Sequence, residues 1–122
     1  MTRINCGVAP RLLHNKHLLA EHREIVRIPN TIKSGKAQLV NIPTNFRLGA
    51  GHVKFFYNKL LYLKNRYIAL HKECLRRGFN ISDFSEAFED LPSNLLHDYK
   101  PTAKDKAIIE ERILERLKNM KV

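Results

Sequence analysis

HVKFFYNKLLYLKNRYIALHKECLRR, residues 52–77, is the stretch from which the fold is read. Apolar residues recur at Val53, Phe56, Leu60, Leu63, Tyr67, Leu70 and Cys74, in alternating steps of three and four. That is the period of one buried face of an α-helix. A second row, Tyr57, Leu61, Ile68 and Leu75, widens the stripe and predicts a central helix covered from more than one side. Arg76 and Arg77 fall where cations complement a helix C-terminus, and Gly78 supplies the left-handed residue that ends it. At ~1.5 Å per residue the segment would span roughly 39 Å, the width of a small domain. Gly49 and Gly51 leave its start open, and His52-Val53-Lys54 reads either as its first turn or as a separate one.

Working outward, 122 residues make one domain, 1–122, able to bury a core without staples. A hydrophobic content of 43% excludes a disordered chain. No apolar run approaches the ~20 residues of a membrane span, and no secretory signal opens the chain, so a cytoplasmic location is expected. Cys6 and Cys74 match neither a disulfide framework nor a metal motif, and Cys74 reads as a small apolar filler. The expected architecture is all-α: a compact single domain of about three main helices around the central one, with loops and little or no strand.

Twenty-two Lys and Arg oppose twelve Asp and Glu, a formal net charge of +10. Such a field attracts polyanions. No basic amphipathic helix offers a bulky apolar face to lipid, so nucleic acid is preferred to a membrane. The first helix is predicted to begin at Asn15 as N-cap, with Leu18, Leu19, His22, Ile25 and Val26 on its apolar arc. Its opposite arc carries Lys16, Ala20, Arg23 and Arg27, with His17, Glu21 and Glu24 beside them, and Pro29 is expected to end or kink it. Residues 36–51 show no clear period and read as loop, with a short extended piece around Leu39-Val40. Residues 79–100 hold Asp83, Glu86, Glu89, Asp90 and Asp98, an acidic stretch whose apolar residues should cover the core. The last helix opens on a capping-box-like Thr102-Ala-Lys-Asp105 and buries Ile109, Ile113, Leu117 and Met120, leaving Arg112 and Arg116 on a polar face.

Three constellations could carry chemistry. Lys16, Arg23 and Arg27 flank the small Ala20, so a backbone phosphate could approach closely; the plain alternative is a solvated basic face. Glu24 lies at the edge of that row, either as an ion-pair partner of Arg27 or Lys16, or as a carboxylate whose charged form suits a base or an electrostatic stabiliser. Thr2 is small enough for Met1 to be removed, which leaves a free α-amine of reference pKa ~7.7–8.0. Neighbouring cations disfavour its protonated form, and primary amines attack carbonyl-type carbons to give Schiff bases. Gly49-Ala50-Gly51 reads as a tight turn feeding a helix, with phosphate cradling the weaker alternative. His14, His17 and His22 lack partners at metal spacing, and His22 reads as a core histidine.

Met1-Thr-Arg-Ile-Asn5, His17-Leu-Leu-Ala-Glu-His-Arg-Glu24, Leu48-Gly-Ala-Gly-His-Val53 and Glu73-Cys-Leu-Arg-Arg-Gly-Phe-Asn-Ile81 together resemble the phage-type pyrimidine-dimer DNA glycosylases with abasic-site lyase activity, the endonuclease V type. The resemblance spans nearly the whole chain in order. It implies a small helical enzyme working on ultraviolet-damaged DNA without metal or organic cofactor. Thr2 resembles the family's nucleophile and Glu24 its essential carboxylate. Arg3, Arg23 and Arg27 match residues that grip phosphates, with Lys16, His17, Glu21 and His22 at the DNA face; Arg112 and Arg116 match cations that extend it. Lys16 and His22 depart from the family's uncharged polar and aromatic types. The implied partner is double-stranded DNA carrying pyrimidine dimers or abasic sites, met by a monomer. The competing reading is a non-catalytic basic helical module that binds DNA or RNA.

Overall fold

The structure, a computed structural model that describes residues 2–119, is all-α. Its helices are α1 (Asn15–Glu24), α2 (Arg27–Lys33), α3 (His52–Phe55), α4 (Leu60–Arg76) and α5 (Ala103–Lys118). Short 3-10 turns occur at Pro10–Leu12, Ser85–Phe88 and Ser93–Leu95. No strand is present among the described residues, so the expected extended piece at Leu39-Val40 does not form; only an isolated bridge joins Lys59 to Leu96.

α4 is the centre of the core. Leu60, Leu63, Tyr67, Leu70 and Cys74 are all buried, and each large apolar side chain so buried contributes roughly 1.5–3 kcal/mol. The helix packs against α1 and against the 3-10 turns at either side of it. The predicted rod is, however, broken. α3 ends at Phe55, and residues 56–59 form a turn before α4 starts. The apolar period runs through this break unchanged. What stops the helix is a local alternative for its polar groups: the Lys59 ammonium donates to the Phe55 carbonyl (2.9 Å) and lies 3.8 Å over the Phe55 ring. The Tyr62 N–H then donates to the His97 carbonyl (3.3 Å) instead of one in the preceding turn. The second apolar row is also corrected: Leu61, Ile68 and Leu75 are exposed, so α4 is covered on one side and open on the other. At its end, Gly78 has the expected positive φ (81°). Arg76 and Arg77 bond Glu73, and Arg77 reaches the Pro10 and Arg11 carbonyls and Asn15 Oδ1, tying the end of α4 to the start of α1.

The N-cap of α1 is His14, whose Nδ1 accepts from the Lys16 N–H (3.1 Å), while Asn15 is the first helical residue. α1 ends at Glu24, ahead of Pro29. That proline lies inside the first turn of α2, where its missing N–H has no helical acceptor to lose. α5 has the full capping box expected of Thr102 and Asp105. Ile109 is buried and Ile113 partly so, but Leu117 is 36% exposed, and Met120 lies outside the described residues. α5 lies close to the N-terminal arm at Gly7, where φ is +81° and an added Cβ would meet the Lys106 Cβ at 3.2 Å. The acidic stretch covers the core as expected, with Phe88 and Leu95 buried and Phe79, Ile81, Phe84 and Leu91 packed against it. Both cysteines are free and buried.

Candidate active site

The N-terminal arm, residues 2–8, runs through the core instead of lying on the surface. Ile4 and Cys6 are fully buried, as expected for short apolar side chains in a segment without regular structure of its own. Its backbone and polar groups must then be satisfied by neighbours. The Ile4 N–H donates to His52 Nε2 (2.9 Å) on α3. Asn5 Nδ2 donates to Glu21 Oε1 (2.8 Å) on α1, and the Val8 carbonyl accepts from Arg66 Nη1 (2.6 Å) on α4. Arg66 also holds Glu21 with two bonds, Nε to Oε2 (2.7 Å) and Nη2 to Oε1 (3.0 Å). Burial works to lower the pKa of this guanidinium, but the Glu21 carboxylate outweighs it and raises the pKa above the ordinary value.

Above this buried network opens a cleft of about 430 Å³, lined by Arg3 and Asn5 of the arm, by His17, Ala20, Glu21 and Glu24 of α1, and by Ile113, Arg116 and Asn119 of the C-terminal segment. The α1 residues follow helical spacing of three and four, so they form one inward row. A smaller cavity of about 80 Å³ lies beside it, where Thr2 and Arg3 meet Leu48, Gly49, His52, Arg112 and Arg116. Arg3 and Arg116 belong to both, so the two spaces share a wall.

The charges in the cleft are arranged unequally. Arg3 has its pKa lowered by partial burial first, then by Arg116 and Arg112; Glu115 and Glu24 work the other way. Three arginines from two chain segments therefore crowd one spot, an arrangement that a bound anion would relieve. Glu24 is largely buried and pairs with Arg27 Nη1 at 3.2 Å. His17 has its pKa lowered by burial and then by His14, Arg3 and Arg116, and its Nδ1 is buried without a protein partner among the described residues. It is the one such side-chain atom there, and it borders the cleft.

The structure thus brings together Thr2, Arg3, His17, Glu21, Glu24, Arg112 and Arg116 around two adjoining spaces. Lys16 and Arg23 of α1 and Arg27, the first residue of α2, are exposed and stand outside the cleft lining. Glu21 touches the cleft but is spent on Arg66 and Asn5, so it is a buried structural carboxylate and not a free polar wall. His22 is turned away altogether. It is 2% exposed, stacks on Tyr67 and shares a 3.0 Å hydrogen bond with His71, so its ring is in the core and outside the cleft lining. Asn5, Ile113, Asn119 and Leu48 line the site without having been singled out. Arg66 had a legible signal: an arginine three after Leu63 and four before Leu70 sits on the apolar side of α4 and needs a buried partner. Among the described residues, no group of three His, Cys, Asp or Glu could hold a metal ion, and no helix is long and apolar enough to cross a membrane.

A helical domain of charge +10, with an arginine-lined cleft that holds a carboxylate, has the make-up of an enzyme acting on a polyanion. The family model described as pyrimidine dimer DNA glycosylase matches residues 1–87, and the chain belongs to that family. Its activity is accordingly that of a DNA repair glycosylase with DNA as substrate. The match includes Thr2, Arg3, Glu24 and His52; α5, with Arg112 and Arg116, lies beyond it.

Proposed function

We propose that the protein excises ultraviolet-induced pyrimidine dimers and then nicks the abasic strand, using the α-amine of Thr2 freed by removal of Met1. The amine lone pair attacks the sugar C1′, and the glycosidic bond breaks with its electrons leaving on the pyrimidine nitrogen. The amine then loses a proton, its lone pair forms the C1′–N double bond as the C1′–O4′ bond breaks, and O4′ takes up a proton as the sugar ring opens, leaving a C1′ imine. A base then takes a C2′ proton; those electrons form the new double bond, and the 3′ phosphate oxygen leaves. Water hydrolyses the imine and returns the amine. Two carbon centres thus need one nucleophile and one carboxylate close by. Glu24, ionised, stabilises the positive charge that develops on the sugar and serves as the base for C2′.

The observation that carries this reading is that Arg3, next in sequence to Thr2, and Glu24 line the same cleft. Arg3, Arg112 and Arg116 supply phosphate contacts, with Lys16, Arg23 and Arg27 continuing them along α1 and the start of α2. A nucleotide must leave the base stack to reach such a cleft. The protein acts as a monomer, in the cytoplasm, and holds no cofactor.

The test is borohydride trapping on abasic duplex DNA. The native protein should become covalently fixed, and a chain carrying one extra residue ahead of Thr2 should not. Equal trapping by both would assign the amine to a lysine and end this mechanism. No trapping by the native chain would leave a glycosylase without the imine and strand-nicking steps as the better account.

A further inference from the structure

The geometry points to His52 as the positioning residue of this site: a neutral histidine of fixed tautomer that holds the N-terminal arm, and with it the Thr2 amine, in place. The inference rests on the reading of Thr2 given above and adds what aims it.

The donor at one end of the imidazole is a backbone N–H, which cannot act as an acceptor. With Ile4 N at 2.9 Å, His52 Nε2 must therefore accept and carry no proton. The proton of the neutral ring sits on Nδ1, which donates to the Arg47 carbonyl at 2.9 Å. The ring has no slack. It is 4% exposed, and its edges meet the rings of Phe46 and Phe56 at centroid distances of 5.5 and 5.4 Å, nearly perpendicular to both. Gly51 feeds the ring into the core with φ +89°, and a Cβ there would press on Arg47 Cδ at 3.2 Å. The arm needs this anchor because it has no helix or strand to fix its conformation. The other ties of the arm, among them Asn5 to Glu21, Cys6 to Tyr99 and Val8 to Arg66, lie farther along the chain, so Ile4 is the tie nearest to Thr2.

His52 and Thr2 also line the same small cavity, with Arg3, Arg112 and Arg116 around it. Burial lowers the pKa of the ring and Arg3 adds to it, while the bond to the Arg47 carbonyl and the Glu21 carboxylate on the α1 side work the other way. His52 meets the reaction through the arm, not through the substrate. Its worth is in orientation: misplacing a reacting group by about 1 Å can cost on the order of 10²-fold in rate.

The experiment compares His52→Asn and His52→Gln with the native protein. Asn keeps a donor near the Nδ1 position and loses the acceptor for Ile4; Gln reaches the Nε2 position and restores an acceptor. Borohydride trapping is timed with saturating protein on abasic duplex. Affinity is measured separately on a duplex with a tetrahydrofuran site, which has no aldehyde. His52→Asn should trap roughly 10- to 100-fold more slowly while binding is kept, and His52→Gln should recover most of the loss. Trapping by His52→Asn at the native rate, or equal loss in both variants, overturns the proposal. Nitrogen-15 shifts of the native protein decide independently of any variant's folding: Nε2 should be unprotonated and Nδ1 protonated at neutral pH, and the opposite tautomer or a doubly protonated ring overturns it. If the chain extended ahead of Thr2 traps at the native rate, it is the Thr2 reading that has failed.

Discussion

Replacing Arg66 with Met should be among the most damaging single changes outside the cleft. The Arg66 and Glu21 side chains are 7% and 1% exposed, so neither charge can turn to water when its partner goes. Arg66→Met keeps the stem's packing but leaves the Glu21 carboxylate with the Asn5 amide alone, and it strips the Val8 carbonyl of its donor. Breaking a buried ion pair from one side costs about 3–5 kcal/mol. That is a fifth or more of the ~5–15 kcal/mol by which ordinary domains are stable. At this size it corresponds to a fall in Tm on the order of 10–20 °C. The assay is urea unfolding of native, Arg66→Met, Glu21→Gln and the double variant, with m required to be unchanged. Because Glu21→Gln removes the stranded charge, the double variant should be clearly more stable than the sum of the singles. A cost below about 1 kcal/mol for Arg66→Met, or strict additivity to within ~0.5 kcal/mol, would refute the reasoning that this pair ties the arm to α1 and α4.

Two further outcomes are expected. Arg23→Ala and Arg27→Ala should each weaken binding to any duplex and lower the slope of log affinity against log salt by about 0.9; unchanged slopes in both would move the DNA surface off α1 and the start of α2. Stability should fall as pH drops below about 6.5, the ordinary histidine value, because burial lowers the pKa of His17, His22 and His52 in the folded protein. The unfolded chain then binds protons that the folded one refuses, so acid favours unfolding. Urea midpoints measured between pH 8 and 5 should show this loss beginning at the histidine range, and a flat profile there would contradict it.

Much of this was legible before any coordinates, and the misreadings have physical causes. The capping box of α5 and the glycine that ends α4 are local chemistry, so sequence specifies them directly. The buried row of α4 follows from period alone. The break between α3 and α4 does not, because it depends on Lys59 meeting Phe55 and on residues 96–97 arriving from far along the chain. Pro29 interrupts the helix as its chemistry requires: the proline has no N–H for the carbonyl four residues earlier, α1 ends at Glu24, and the chain resumes as α2, with Pro29 in its first turn and Ser34 as C-cap. At the site, Arg3, Glu24, Arg112 and Arg116 were placed by helical spacing and by family resemblance. Glu21 looked like another polar wall residue because its position cannot reveal a partner 45 residues away. His22 was legible as a core residue from its arc on α1, and the family resemblance pulled it toward the DNA. The role of His52 depends on one backbone N–H 48 residues away, which no local pattern records.

Whether the cleft performs chemistry or merely holds DNA is decided at Glu24. Glu24→Gln keeps the size of the side chain and removes its charge and basicity. Nicking of ultraviolet-irradiated duplex should fall by at least ~10²-fold, as for loss of a catalytic base, while duplex affinity holds or rises because a negative charge leaves a cationic face. Normal nicking by a Glu24→Gln protein whose folding is confirmed by circular dichroism would contradict the account and remove Glu24 from the mechanism.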